Sequence, residues 1–304
     1  PIIKSRFGFL HSSAALARTP KPVKAKNKIE DPINTSSNPF GMKFSQFVAS
    51  KWGAAKSMNA KIADILILDD YKKIKINKVI LGGKIVVSNG KILEIIHSPK
   101  IPTWIQKTVK LPKLTTENFI LTSKNNTEIV NIISMKTEIV TKKDTTDLSV
   151  KDSNVMASYD KDIWKVTAMD RTFGSKTKTI GFLKNFGADI GAFASTWSFH
   201  ENDMIVIGSN EKDMADAANK LVKSQGGLIV VKNGKTLASL PFQMGGIIST
   251  DSIDKVTANF TKINDVLLDS GCKFKKPHLI PLFLPFLALP DIRIMYSGIV
   301  DVKA

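Results

Sequence analysis

The sequence predicts a mixed α+β fold, with small β-sheets covered by two main helices and an extended basic N-terminal arm. Three observations predict it. Short apolar and β-branched runs, separated by Gly-Gly and Asn-Gly pairs, recur from residue 62 onward. Two longer stretches carry apolar residues at helical spacing. Residues 1–60 are instead rich in Lys and Arg.

The arm, residues 1–60, comes first. No acidic residue precedes Glu30, whereas Lys4, Arg6, Arg18, Lys21, Lys24, Lys26 and Lys28 all do. An acid-free N-terminus containing Arg and Ser reads as an organelle transit peptide or its remnant, or as a basic tail that binds an anionic partner. The leading Pro1 fits a processed or incompletely recorded N-terminus. Residues 32–41, PINTSSNPFG, read as a linker. Residues 42–58 then read as a short amphipathic helix with Phe44, Phe47, Val48 and Trp52 along one side.

A β-rich subdomain with its linker is expected over residues 61–116. ADILILDD is a strand, and KINKVILGGKIVVSNGKIL reads as three strands joined at Gly82-Gly83 and Asn89-Gly90. Such pairs supply the positive φ angles of tight hairpins. Residues 98–116, rich in Pro and Lys, read as a connection.

The larger α+β domain is expected over residues 117–304. Its strands are read in EIVNIISM, TEIVTKK, DIWKVTAM, TKTIGFLKNFG, IGAFASTWS and DMIVIG. Residues 213–227 read as a helix, acidic in its first turn, carrying Lys in its last and ended by Gly226 and Gly227. A hairpin follows around Asn233-Gly234. In the second helix, residues 249–272, Ile253, Val256, Phe260, Ile263 and Leu267 share a face, and Ser252 or Thr250 offers the N-cap. The run LIPLFLPFLALP, residues 279–290, is broken by Pro281, Pro285 and Pro290 and reads as buried extended or irregular chain.

Composition narrows the function classes. Among 304 residues, 44 Lys and Arg face 27 Asp and Glu, a net charge of +17. That excess favours an anionic partner such as nucleic acid, an anionic membrane surface or acidic proteins, although solvated lysines alone would produce it too. Cys272 is the single cysteine, which excludes an intrachain disulfide and a cysteine-based zinc site. No apolar run reaches the roughly 18 residues of a transmembrane helix. GSKTKT, residues 174–179, lacks the spacing of a phosphate-binding P-loop, and Gly187 and Gly191 do not form a dinucleotide-binding loop. KFKKP, residues 273–277, reads as a solvated basic turn. No base-reading RNA motif occurs, so any RNA contact would be to phosphates.

The segments ADILILDDYKKIKINKVILGGKIVVSNGKIL, TEIVTKK, GFLKNFG, MIVIGSNEKDMADAANKLVKSQGGLIVVKNGKTLASLPF, FLALP and SGIVDV occur in that order. Together they resemble the C-terminal part of bacterial and archaeal adenine deaminases of the amidohydrolase superfamily, over roughly residues 62–302. The resemblance implies hydrolysis of adenine to hypoxanthine and ammonia by water activated on manganese or iron held in a TIM barrel. Such a barrel takes about 250 residues, and about 60 precede the resemblance here. His11, His97, His200 and His278 each stand alone in sequence. No cofactor or metal site is therefore expected in this chain.

The resemblance also implies two polar runs facing the family's active site. One is a His-Asp-x-His-Asn-like run, against which this chain has Phe199, His200, Glu201, Asn202 and Asp203. The other is Glu-Arg-His, against which it has Asp170, Arg171 and Thr172. The packing blocks are kept while the proton-handling residues differ. The leading expectation is a non-catalytic module with no catalytic residues, a structural subunit of a larger organellar assembly such as a mitochondrial ribosome or membrane complex. Its partners would be protein subunits, or RNA through phosphates, bound by the basic arm. The alternative is the C-terminal half of a split adenine deaminase working with a separate barrel chain.

Overall fold

The computed structural model describes residues 64–70, 72–93, 100–199 and 201–302. The basic residues Lys4 to Lys28, the linker at 32–41, the helix expected at 42–58, and His11, His97 and His200 lie outside them. The chain divides into two compact units, whose described parts are residues 64–100 and 101–302.

The first unit is a four-stranded antiparallel meander: β1 (Ile65–Asp70), β2 (Lys75–Leu81), β3 (Lys84–Ser88) and β4 (Lys91–Ile92). The turn pairs behave as their composition demands. Gly82 and Gly83 take φ 57° and 80°, and Asn89 and Gly90 take 49° and 74°. Little of this sheet is covered. Leu68 is its one buried apolar side chain among the described residues, while Leu66, Ile67, Ile74, Ile76, Leu81, Ile85 and Ile92 are exposed.

The second unit carries β5 (Thr127–Met135), β6 (Thr141–Lys151), β7 (Asn154–Val155), β8 (Ile163–Asp170), β9 (Lys178–Lys184), β10 (Ala192–Ser195), β11 (Asp203–Gly208), helix α1 (Glu211–Ser224), β12 (Gly227–Lys232) and β13 (Lys235–Pro241). Then come α2 (Ile253–Asp269), the single turn α3 (Ile280–Phe283) and a hairpin of β14 (Asp291–Met295) and β15 (Gly298–Val302). The fold is α+β, as expected, but its strands are less divided than the sequence suggests. β5 to β13 form one nine-stranded sheet in the order β13-β12-β10-β11-β8-β9-β5-β6-β7, in place of several small ones. All its pairings are antiparallel except β5 with β9. Hairpin signals reveal neighbours in sequence, whereas the pairs that unify this sheet, such as β8 with β11, join strands far apart in the chain.

Alternation along each strand sends side chains to two different cores. Ile205 and Ile207 of β11 join Phe193, Leu228, Val230 and Leu240, and there they meet Ile263 and Leu267 of α2. Met204 and Val206 point the other way, to Ala192, Ala194, Ile229 and Val231 beneath Met214, Ala217, Ala218 and Leu221 of α1. Because both faces are covered, β8 and β11 are buried at every position.

Of the two caps offered for the second helix Ser252 is used, and α1, which begins two residues before the expected start, is capped by Asn210. Asn210 accepts from the Asp213 N–H at 2.8 Å, and Ser252 accepts from that of Lys255 at 3.4 Å. α1 ends on Gln225 in the left-handed conformation, one residue before the glycines predicted to stop it. Two expectations change. The proline-broken run is irregular over 284–290, as read, but its start is helical: residues 277–279 form a 3-10 turn and 280–283 the turn α3, with Pro277 and Pro281 in first-turn positions where no backbone donor is required. The stretch read as a connection, 98–116, contributes Val109, Leu111 and Leu114 to the core under α1.

Candidate functional site

The two runs set apart by the sequence meet at one end of the central sheet. Asp170 closes β8 and Asp203 opens β11, and the antiparallel register pairs them directly. Arg171, Thr172, Glu201 and Asn202 therefore sit on adjacent strand ends. Arg171 is fully buried; its guanidinium donates to the Gly245 carbonyl at 3.1 Å and to Asn202 Oδ1 at 3.2 Å. Close packing holds it there, since a Cβ on Gly246 would lie 2.7 Å from Arg171 Nη1. Glu201 accepts from the Leu287 N–H at 3.3 Å, which ties the site to the proline-rich segment.

The two aspartates are held differently. Asp170 accepts from the N–H groups of Thr172, Phe173 and Ser175 at 3.0, 3.0 and 3.1 Å, and from the Ser175 hydroxyl at 2.5 Å. Burial pushes its pKa up, but these donors outweigh it and hold the carboxyl below its ordinary value. Asp203 has one such donor, the Tyr296 N–H at 3.1 Å, and its Oδ1 has no hydrogen-bond partner. Burial, with smaller pushes from Glu201 and Asp170, raises it to about 7 despite Arg171. Burial lowers Arg171 to about 10, so it stays cationic at neutral pH. Arg171 Nε, Thr172 Oγ1 and Ser198 Oγ also lack hydrogen-bond partners.

Phe199 is not drawn into this cluster. It lies half-exposed against Phe286, ring centroids 4.4 Å apart, and against Phe283 at 5.4 Å. Phe173, just beyond Arg171, is 79% exposed. The buried charges are thus flanked by open aromatic surface. Among the described residues no three His, Cys, Asp or Glu side chains converge as a metal site requires. Asp170, with both oxygens already bonded, could not serve as a ligand without losing its loop.

One polar cluster escaped the sequence reading. Lys165, in the middle of β8, is 2% exposed. It donates to Glu211 Oε1 at 2.5 Å, Asn154 Oδ1 at 2.6 Å and the Phe119 carbonyl at 3.2 Å. Burial lowers its pKa against the opposing pull of Glu211. The available signal was a lone Lys inside the apolar strand IWKVTAM. Among the described residues the remaining Cys and His side chains are at least partly buried. Burial raises the Cys272 thiol to about 11, and His278 Nδ1 lies 3.1 Å from Asn264 Oδ1. Among the described residues no helix is long and apolar enough to cross a membrane.

The sequence pattern of the adenine deaminase C-terminal domain matches residues 138–304. An adenine deaminase of Cenarchaeum symbiosum is 50% identical over 243 residues, which is 80% of this chain and 40% of that protein. One from Clostridium botulinum is 31% identical over 244 residues, and one from Moorella thermoacetica 28% over 261. They are covered over 41% and 44% of their lengths, so the chain spans about two fifths of the relatives it matches.

Proposed function

The chain belongs to the adenine deaminase C-terminal domain family, and from that premise we propose that it acts as the C-terminal half of an adenine deaminase. Adenine and water would become hypoxanthine and ammonia on a catalytic part lying outside the residues described here. The observation that carries this reading is the 50% identity to the Cenarchaeum enzyme over 243 residues. The relatives support it over the non-catalytic organellar subunit.

The metal that activates water in this chemistry belongs, in this proposal, to the catalytic part, because the described residues offer it no ligand set. The share of this chain is the face at the ends of β8 and β11. Phe173 and Phe199 dock against the catalytic part and exclude water. Arg171 holds Asn202 and the Gly245 loop in place. Asp203, with a pKa of about 7, is the group able to give or take a proton near neutrality.

Complementation tests the proposal. The Cenarchaeum enzyme, truncated where the similarity begins, is mixed with this chain, adenine and Mn²⁺, and ammonia is measured. Turnover is expected from the mixture and from neither part alone. If the two parts bind each other and yet release no ammonia, the reading is wrong.

A further inference from the structure

Inside the nine-stranded sheet, β5 and β9 pair only from Ile132 to Ser134 and from Phe182 to Lys184. Before that point they splay apart. Each stays paired on its far side, β5 with β6 from Thr127 and β9 with β8 from Lys178. The result is a cleft of about 660 Å³ in the body of the sheet.

The register shows which backbone groups face it. Val150 N–H donates to the Asn126 carbonyl, and Lys136 N–H to that of Val140, so even-numbered β5 residues bond toward β6. Odd-numbered ones therefore turn toward β9. On the other wall, Asp170 N–H donates to the Thr177 carbonyl and Asn185 N–H to that of Asp162. Odd-numbered β9 residues thus bond toward β8, and even-numbered ones turn toward β5. Ile129 and the Asn131 N–H on one side, and Lys178 and Ile180 on the other, present main-chain groups to the cleft beyond the end of the ladder.

We propose that this cleft binds an extended, uncharged peptide segment, which pairs with β5 and β9 together and completes the sheet. Two facing strand edges offer main-chain donors and acceptors at strand spacing, and such edges capture strands. The chemistry of the lining selects an uncharged occupant. Glu128 is held by Ser123 and Asn125, Lys143 by Asp301, and Lys178 by the Asn118 carbonyl. Glu128 and Asp301 balance Lys143 and Lys178, so the lining carries no net charge, and Ile129, Ile180 and Ile299 are left to meet the segment. Ile129, within a strand flanked on both sides, is 74% exposed. At about 3.3 Å per residue, the unpaired stretch of β5 takes about five residues. The inference is independent of the adenine deaminase reading.

Hydrogen exchange by NMR on the full chain tests it, with the pentapeptide acetyl-Thr-Val-Thr-Val-Thr-amide as probe. Saturating peptide should slow exchange at Ile129, Asn131, Lys178 and Ile180 at least tenfold. Acetyl-Lys-Val-Lys-Val-Lys-amide should bind at least tenfold more weakly. Ile129→Lys, at an exposed side chain and so without effect on folding, should weaken binding of the neutral peptide. Ile129→Pro should remove the effect by deleting a donor. No added protection at millimolar peptide would overturn the proposal. So would protection in the free chain equal to that of Ile133, or protection that rises with protein concentration alone, which would mark a contact between two copies. A small aromatic amide matching the pentapeptide in affinity would show a ligand pocket in place of a strand site, and would overturn it as well.

Discussion

Asp203 is the residue whose chemistry is least settled by its surroundings. Its unfolded pKa is near 4, and in the folded chain burial raises it to about 7. Between those values the folded state holds a proton that the unfolded state has lost, so stability falls as pH rises from about 4 to about 7 and levels off above. Asp203→Asn keeps an acceptor for the Tyr296 N–H and removes the charge. The variant should therefore be more stable than the parent at pH 8, by a few kcal/mol at most, and the two should converge near pH 4. Urea unfolding at the two pH values checks this; equal stability at pH 8 would mean that Asp203 ionises without cost. Asp170 runs the opposite way. Its folded pKa is depressed, so its contribution is present near neutrality and is lost as pH falls through the carboxylate range. Ser175→Ala removes one of its four donors and should cost about 1 kcal/mol at pH 7.

At the scale of elements, α1 is fixed at its first turn by a carboxylate. Asp213 accepts from the Asn233 and Gly234 N–H groups, each at 2.8 Å, so the helix holds the β12–β13 turn. The helix comes this close because Gly191 has no side chain: a Cβ there would collide with the Asp213 carboxylate, and one on Gly208 with Met214. Gly191→Ala should destabilise the chain by about 1–3 kcal/mol, read as a lowered urea midpoint with unchanged m-value. Elements of this local kind were legible in the sequence. Gly82-Gly83, Asn89-Gly90 and Asn233-Gly234 turn where their φ preferences require, and Ser252 caps as its position suggests. What joins distant elements was not legible. Asp170 and Asp203 lie in separate runs, and only the β8–β11 register, with β9 and β10 intervening in the chain, sets them opposite each other. The split between β5 and β9 leaves no mark on either strand, because alternation records which face a residue occupies and not whether its edge is paired.

At the scale of the whole molecule, the two units differ in how well each could stand alone. The larger one covers both faces of its sheet at the central strands β8, β10 and β11. The smaller one buries Leu68 and leaves Leu66, Ile76, Leu81 and Ile85 open to solvent among its described residues. A small sheet without a covered apolar face is marginal in water, and apolar surface of this kind marks a place where another surface belongs. If this chain is the C-terminal half of an adenine deaminase, the catalytic part is what covers that sheet. Ile76→Thr combined with Ile85→Thr keeps β-branched residues in β2 and β3 and removes apolar area. The double variant should be more soluble than the parent, with its larger unit unfolding at the same urea concentration. It should also restore less activity to the truncated Cenarchaeum enzyme, because the lost area would have been buried between the parts. Burial of apolar surface contributes about 25 cal/mol per Å², so losing about 100 Å² of contact would weaken association by about 2.5 kcal/mol, more than tenfold in Kd. Titrating the truncated enzyme with either form measures that ratio. Equal affinity would place the contact elsewhere on the molecule and leave the exposed sheet without an explanation in the enzyme.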